Sequence, residues 1–104
     1  MAMRIDIIAT DDSTTPQARA YAEYRVFAAL ARHTRVIRSI CVKLAQAERN
    51  GSAGCSTCSV YLMLEPSGSA RARAQGPHAF GAIDRAAERI GDLMARRSSE
   101  TISS

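Results

Sequence analysis

The chain has 104 residues, of which 46% are hydrophobic and 23% are charged, and this composition is typical of one globular domain. No apolar run reaches the roughly 18–20 residues that a membrane-spanning helix needs. The first residues, M-A-M-R-I-D-I-I-A-T, lack the apolar centre of a signal peptide because Arg4 and Asp6 interrupt them. We therefore expect a cytoplasmic protein without a membrane partner.

The basic residues are almost all arginine. They number 14 against 10 acidic residues, which gives a net charge of +4, and Lys43 is the single lysine. Arginine binds phosphate groups through two donors and stacks on nucleobases. An excess of arginine and alanine also arises from GC-rich coding sequences, so the position of each arginine in the fold decides whether nucleic acid is a partner.

Hydrophobic periodicity predicts the element order β-α-β-β-β-α. Alternating side chains predict strands over 3–10, 36–45, 58–64 and 69–75, and helical spacing predicts helices over 16–33 and 78–97. Thr15 is the predicted N-cap of the first helix, with Pro16 at its first position. The residues between the second and third strands, A-E-R-N-G-S-A-G, predict a turn centred on N-G.

Each predicted helix has an apolar stripe that would face the core. On the first helix the stripe comprises Tyr21, Tyr24, Phe27 or Ala28, and Ala31. On the second helix it comprises Phe80, Ile83, Ala87, Ile90 and Met94.

These elements predict an α+β fold. The first β-α-β unit should be a right-handed crossover between parallel strands, and the next two connections are short hairpins. The result is a four-stranded mixed sheet with both helices on one face, similar to a double-stranded-RNA-binding domain with an extra leading strand. The other face is expected to carry Lys43, Tyr61, Met63, Arg71 and Arg73. We expect one domain over 1–97 and a flexible polar tail over 98–104.

The three cysteines include a C-S-T-C unit, Cys55–Cys58, with the spacing of a zinc knuckle or a redox pair. A redox pair usually opens a helix, whereas this unit is predicted to enter a strand from a hairpin. Cys58 falls on the inward face of that strand. The other candidate ligands, Cys41, His33 and His78, lack ligand spacing, so we expect no metal and no cofactor. A small metal or redox module remains the third hypothesis.

Catalytic motifs are absent from the sequence. It contains no glycine-rich phosphate loop and no nucleophile motif. Neither His33 nor His78 has a neighbouring acidic or serine constellation that would support acid–base chemistry. We therefore expect a protein that is not an enzyme, with no catalytic residues and no small-molecule substrate.

Several segments resemble one known family. They are M-R-I-D-I at the start, T-P-Q-A-R-A-Y at the first helix, I-C-V-K-L in the second strand and, above all, G-S-A-R-A-R-A-Q-G-P-H-A-F-G-A-I-D-R-A-A-E-R-I. The last segment matches, without a gap, the pattern G-x-x-x-A-x-A-x-G-x-D-M-Y-x-A-I-D-x-x-x-D-K-L of the ribosome hibernation-promoting factors, also called ribosome-associated inhibitor A or sigma-54 modulation proteins. The resemblance is to their short form and spans about 3–97.

The resemblance implies a factor that binds the small ribosomal subunit through rRNA, between its head and body. Members of the family inhibit translation and preserve ribosomes under stress. The basic positions that match the family are Arg19 and Arg25 on the first helix and Arg89 and Arg96 on the second. Helical geometry adds Arg32, Arg85 and Arg97 to the candidate RNA-binding residues.

Two departures from the family pattern leave an alternative open. A-A-L-A replaces part of a lysine-rich run in the first helix, and Asp92 stands where the family tends to have arginine. The alternative is a diverged paralogue that acts as a protein-interaction or homodimerisation module without ribosome binding. Tyr61 and Met63 on the exposed sheet face would then form the contact.

Overall fold

The computed structural model of the chain describes residues 4–9, 15–49 and 52–103. Its elements follow the predicted order and confirm the α+β class. They are β1 (Arg4–Ala9), α1 (Pro16–Leu30), a 3-10 helix (Ala31–Val36), β2 (Ile37–Arg49), β3 (Ser52–Leu64), β4 (Ser69–Gly76) and α2 (Ala79–Ser103).

The sheet has the spatial order β1-β2-β3-β4. Strands β2, β3 and β4 form its antiparallel part, and β1 lies parallel to β2. A parallel neighbour needs a crossover connection, which α1 provides. In this arrangement β4 is an edge strand, which matters below because its outward carbonyl groups need partners.

One face of the sheet forms the core together with the helices. Alternation along the strands places apolar residues on this face, and the register aligns them across the sheet. The fully buried members on the two central strands are Ile40, Val42, Val60, Leu62 and Cys58. The helices contribute to the same hydrophobic cluster, so they cover this face and leave the opposite one to solvent.

The buried stripe of α1 differs from the predicted one. The residues that face the core are Ala18, Ala22, Val26 and Leu30. Tyr24 and Phe27, which the sequence predicts to be buried, are 69% and 46% exposed. This helix is apolar on several sides, so its spacing alone allows more than one stripe. The side that packs against the sheet begins with Ala18 and Ala22, because these small side chains let the helix approach the sheet closely.

The predicted stripe of α2 is confirmed except at its start. Ile83, Ala87, Ile90 and Met94 are buried, whereas Phe80 is 44% exposed. The Phe80 ring instead packs edge-on against Tyr21, with 5.0 Å between the ring centroids. This contact joins the first turn of α2 to α1.

The helix ends also differ from prediction. Helix α1 stops at Leu30 and continues as a 3-10 turn to Val36, whereas the predicted helix ran to His33. The predicted end of α2 at Arg97 is wrong, because the backbone is helical to Ser103. The residues after Arg97 include no glycine or proline that would stop a helix. The division into a domain over 1–97 and a tail over 98–104 otherwise stays a prediction.

Strands β2 and β3 are longer than the sequence predicts. Their pairing continues to Arg49 and Ser52, so most of the predicted turn is strand. The N-G pair that centres this turn, at 50–51, lies outside the described residues. Ladder pairing overrides the weak strand propensity of alanine, glutamate and glycine here. Cys55 consequently lies inside β3 rather than at a hairpin.

Across the described ranges, no helix combines the length and the apolar composition that crossing a membrane requires.

Candidate functional site

Helices α1 and α2 lie side by side and run in the same direction. Arg25 of α1 contacts Asp84 of α2. Ala29, one turn further along α1, faces Gly91, which is two turns further along α2. A β-carbon at Gly91 would lie 3.3 Å from the carbonyl oxygen of Ala29, so the absence of a side chain permits this close approach. The two helices therefore form one continuous outer layer, on which their exposed side chains keep fixed relative positions.

Asp84 accepts two hydrogen bonds from α1. The Tyr21 hydroxyl lies 2.6 Å from Asp84 Oδ1, and Arg25 Nε lies 2.9 Å from the same oxygen. The pKa of Asp84 is lowered, and the hydrogen bond from Tyr21 is the main cause. Burial acts in the opposite direction, and the hydrogen bond and charge of Arg25 lower the pKa further. The bond from Tyr21 to Asp84 also raises the pKa of Tyr21. Arg25 is thus held in an ion pair between the helices.

Three exposed arginines lie on the side of α2 that faces away from α1. Arg85, Arg89 and Arg96, which we call the α2 arginine row, fall within roughly 40° of one another around an ideal helix. Arg85 Nη1 donates to the carbonyl of Gln75 at 3.1 Å, and Arg89 Nη1 donates to the carbonyl of Arg73 at 2.6 Å. These two bonds occupy outward carbonyls of the edge strand β4.

Two acidic residues of α2 lie near predicted arginines of the helix layer, namely Asp92 and Glu88. Asp92 is exposed and lies three positions after Arg89 and four before Arg96. A shallow groove of about 310 Å³ between the helices is lined by Arg32, Glu88 and Asp92 among others. Arg32 therefore shares this groove with two carboxylates, which reduce the positive potential there.

The remaining two predicted arginines lie apart from these groups. Arg19 is exposed on α1, six residues before Arg25 and hence about 120° away from it around the helix. Arg97 reaches the turn before β4, where a β-carbon on Gly68 would lie 3.7 Å from Arg97 Nη2. Gly68 adopts a φ of 103°, which favours glycine. The seven predicted residues thus form one row and several separate positions rather than a single surface.

A second group of cations lies on the opposite side of the sheet. We call this solvent-facing side of β2, β3 and β4 the open face. Lys43 Nζ lies 5.5 Å from the centroid of the Tyr61 ring, and Arg71 is the cross-strand partner of Tyr61. The sequence predicts these residues on this face, and they are not among the predicted RNA-binding residues. The sequence signal for a basic surface here is the alternation of arginine with alanine in β4, next to the strand that carries Tyr61.

The cysteines occupy different faces of the sheet. Cys58 is fully buried, and this burial raises the pKa of its thiol to about 12. Cys41 is half-buried at a position on the open face. Cys55 is the register partner of Ala47 in the pairing of β2 with β3. In the part of the chain that is described, no three histidine, cysteine or acidic residues come together as a metal site.

Comparison with known proteins gives matches at the level of structure. No protein-family model matches the sequence, and neither does any curated protein. A ribosomal subunit interface protein from Coxiella burnetii superposes with a TM-score of 0.73 at 14% identity, over 93% of this chain and 99% of that one. The N-terminal domain of Thermus thermophilus Protein Y superposes with a TM-score of 0.65 at 22% identity, over 92% and 98% of the two chains. The chain therefore has the fold of these two proteins.

Proposed function

We propose that this protein binds the small ribosomal subunit through rRNA phosphates, without catalysing a reaction, and thereby inhibits translation or preserves ribosomes under stress. Two likenesses support the proposal. The sequence resembles the short ribosome hibernation-promoting factors, and the fold is that of a ribosomal subunit interface protein over nearly the whole of both chains. The cytoplasm is where such a function would be exercised.

The observation that carries the proposal is the α2 arginine row. Its three guanidinium groups are exposed on one side of one helix, which suits the regular phosphate spacing of an RNA strand. Arg85 and Arg89 each use one Nη group on a carbonyl of β4. A guanidinium has five N–H donors, so most of them stay available to phosphate oxygens.

We assign the other predicted residues a weaker contribution. Arg25 is paired with Asp84 at 2.9 Å, and its charge is largely compensated there. Arg32 shares its groove with Glu88 and Asp92. Arg19 and Arg97 lie on other sides of their helices, so each would contact RNA only if the binding surface extends around the helix layer.

Sedimentation with purified small subunits tests the proposal. The variant carries Arg85→Glu, Arg89→Glu and Arg96→Glu together, and we expect it to stay in the supernatant while the wild type pellets with the subunits. The matched control carries Glu at four exposed positions outside both proposed RNA sites, Arg35, Arg38, Gln17 and Ser67, which produces the same change in net charge. Circular dichroism checks that both variants are folded. Equal pelleting of the row variant and the wild type would contradict the proposal.

The homodimer alternative fits the open face less well. Tyr61 and Met63 are 40% and 51% exposed there. However, Lys43, Arg71 and Arg73 share that face, and two copies placed face to face would bring like charges together and desolvate them. The alternative stays a prediction, and the sedimentation velocity of the free protein tests it.

A further inference from the structure

The open face carries an aromatic ring among cations. Two neighbouring cross-strand rows hold the relevant side chains, namely Cys41, Tyr61 and Arg71 in one and Lys43, Ser59 and Arg73 in the next. No described helix covers this face, because both α1 and α2 pack on the other side of the sheet. The helix-side interface proposed above uses none of these side chains.

Tyr61 is the only aromatic side chain at a described position of this face. Its ring is 40% exposed, and the Lys43 ammonium lies 5.5 Å from its centroid. The ammonium lies over the ring in a cation–π contact, so a planar base stacks on that side of the ring when the lysine turns aside towards the phosphate attached to the base.

The two arginines of β4 extend this arrangement. They adjoin a depression of about 380 Å³ whose wall is formed by Ser59, Tyr61, Arg71, Ala72 and Arg73. Alternate positions on a strand are about 6.8 Å apart, which is close to the separation of successive phosphates in an extended single strand. Arg71 and Arg73 can therefore meet consecutive phosphates while the Tyr61 ring, in the same cross-strand row as Arg71, holds a base.

The charge of the face favours a polyanion over an apolar partner. Lys43, Arg71 and Arg73 are exposed cations on it. Asp6 on β1 is the register partner of Cys41 and is also exposed, so it reduces the positive potential at the β1 side and leaves the β3–β4 side basic. Stacking together with phosphate contacts is the combination by which open sheets bind single-stranded nucleic acid.

We propose that the open face is a second nucleic-acid site, which binds a short stretch of single-stranded RNA by stacking a base on Tyr61 and contacting the flanking phosphates through Arg71, Arg73 and Lys43. The site lies on the opposite side of the sheet from the α2 arginine row. It does not depend on ribosome binding, and one molecule can engage RNA on both sides.

Fluorescence anisotropy with a fluorescein-labelled RNA hexamer, in low-salt buffer and without ribosomes, tests this site. We expect Tyr61→Ala to weaken binding by about five- to 150-fold, the range for loss of one stacked base, while Tyr61→Phe retains it. Tyr24→Ala is the matched control, since Tyr24 is an even more exposed tyrosine on α1. Arg71→Ser with Arg73→Ser should also weaken binding and flatten its salt dependence, because phosphate contacts are lost.

Several outcomes would overturn the site. One is an absence of hexamer binding by the wild type, and another is equal binding by Tyr61→Ala and the wild type. A third is loss of hexamer binding in the Arg85→Glu, Arg89→Glu, Arg96→Glu variant, which would move the RNA to the helix side. A Tyr61-dependent dimer of the free protein in sedimentation velocity would assign the face to a second copy instead. The ribosome proposal is tested separately by sedimentation of the Arg85→Glu, Arg89→Glu, Arg96→Glu variant with small subunits. Tyr61→Ala should pellet with the subunits like the wild type, so the two proposals can fail independently.

Discussion

The Tyr21 hydroxyl donates a hydrogen bond of 2.6 Å to Asp84, a residue 63 positions away in the chain. It joins α1 to α2 and directs the carboxylate that also binds Arg25. Because the phenol donates and the carboxylate accepts, the bond requires a protonated Tyr21 and an ionised Asp84. The contact between the helices therefore depends on pH at both extremes.

We expect Tyr21→Phe to lower the free energy of unfolding only within a defined pH window. The pKa of Asp84 lies below 3.8, so its contribution is present above that value and is lost as the pH falls through the lowered pKa. The pKa of Tyr21 lies above 10.0, so its contribution is present below that value and is lost as the pH rises through the raised pKa. Urea unfolding of both proteins across pH measures the difference. A difference that does not change with pH would contradict this account.

Asp92→Arg should strengthen binding to small subunits. A carboxylate between Arg89 and Arg96 repels phosphate and attracts the neighbouring guanidinium groups away from it. Replacement by arginine should tighten binding by about 0.5–1.5 kcal/mol. Glu65→Arg makes the same charge change at a position outside the helix layer and should have a smaller effect. Equal effects of the two substitutions would indicate a dependence on net charge alone.

Binding to small subunits should also depend strongly on salt. If roughly four phosphates are neutralised, the logarithm of the association constant falls with the logarithm of salt concentration with a slope of about −3. Titrations at several potassium chloride concentrations give this slope. An affinity that does not vary with salt would favour a protein contact over rRNA.

Gly76→Ala should destabilise the protein where β4 enters α2. A β-carbon at Gly76 would lie 3.0 Å from the backbone nitrogen of Ala82 and 3.3 Å from the carbonyl carbon of Gly81, and neither atom can move freely. We expect a loss of about 1–3 kcal/mol in thermal or urea unfolding. Gly81→Ala is the control, because its β-carbon would meet only the His78 ring at 3.6 Å and would favour the helix.

Burial of Cys58 should make the protein sensitive to alkali. The pKa of its thiol is raised from 9.0 to about 12, so between these values the unfolded thiol ionises while the folded one stays protonated. The free energy of unfolding should then fall by up to about 1.4 kcal/mol per pH unit from this residue. Cys58→Ala should reduce that slope, and Cys41→Ala should leave it unchanged. Parallel slopes in all three proteins would contradict the prediction.

The sequence predicts best where one face of an element is apolar and the other is not. The alternation of alanine with arginine in β4 and the stripe Ile83–Met94 of α2 are of this kind, and both match the structure. Helix α1 has apolar residues on several sides, so its spacing could not identify Val26 and Leu30 rather than Tyr24 and Phe27 as the buried ones. That choice is made by the sheet beneath the helix.

The candidate site is predicted less well than the fold for a related reason. Spacing gives the angle of an arginine around its own helix but not the neighbours it meets there. The pairing of Arg25 with Asp84 and the bonds from Arg85 and Arg89 to β4 join residues 10–59 positions apart. Such contacts follow from the packing of whole elements, and no local pattern reports them.

The bonds between the α2 arginine row and the edge of β4 affect the entropy of binding. A long side chain that is free in solution loses rotamer freedom when a phosphate immobilises it, at a cost of about 0.5–1.5 kcal/mol. Arg85 and Arg89 are already oriented by carbonyl groups of β4, so part of that loss occurs during folding instead. A guanidinium can hold a carbonyl with one edge and a phosphate with another, whereas the ammonium of lysine is a single compact charge. Lysine at either position would keep the charge but lose this preorganisation, which gives a physical reason for arginine at both positions.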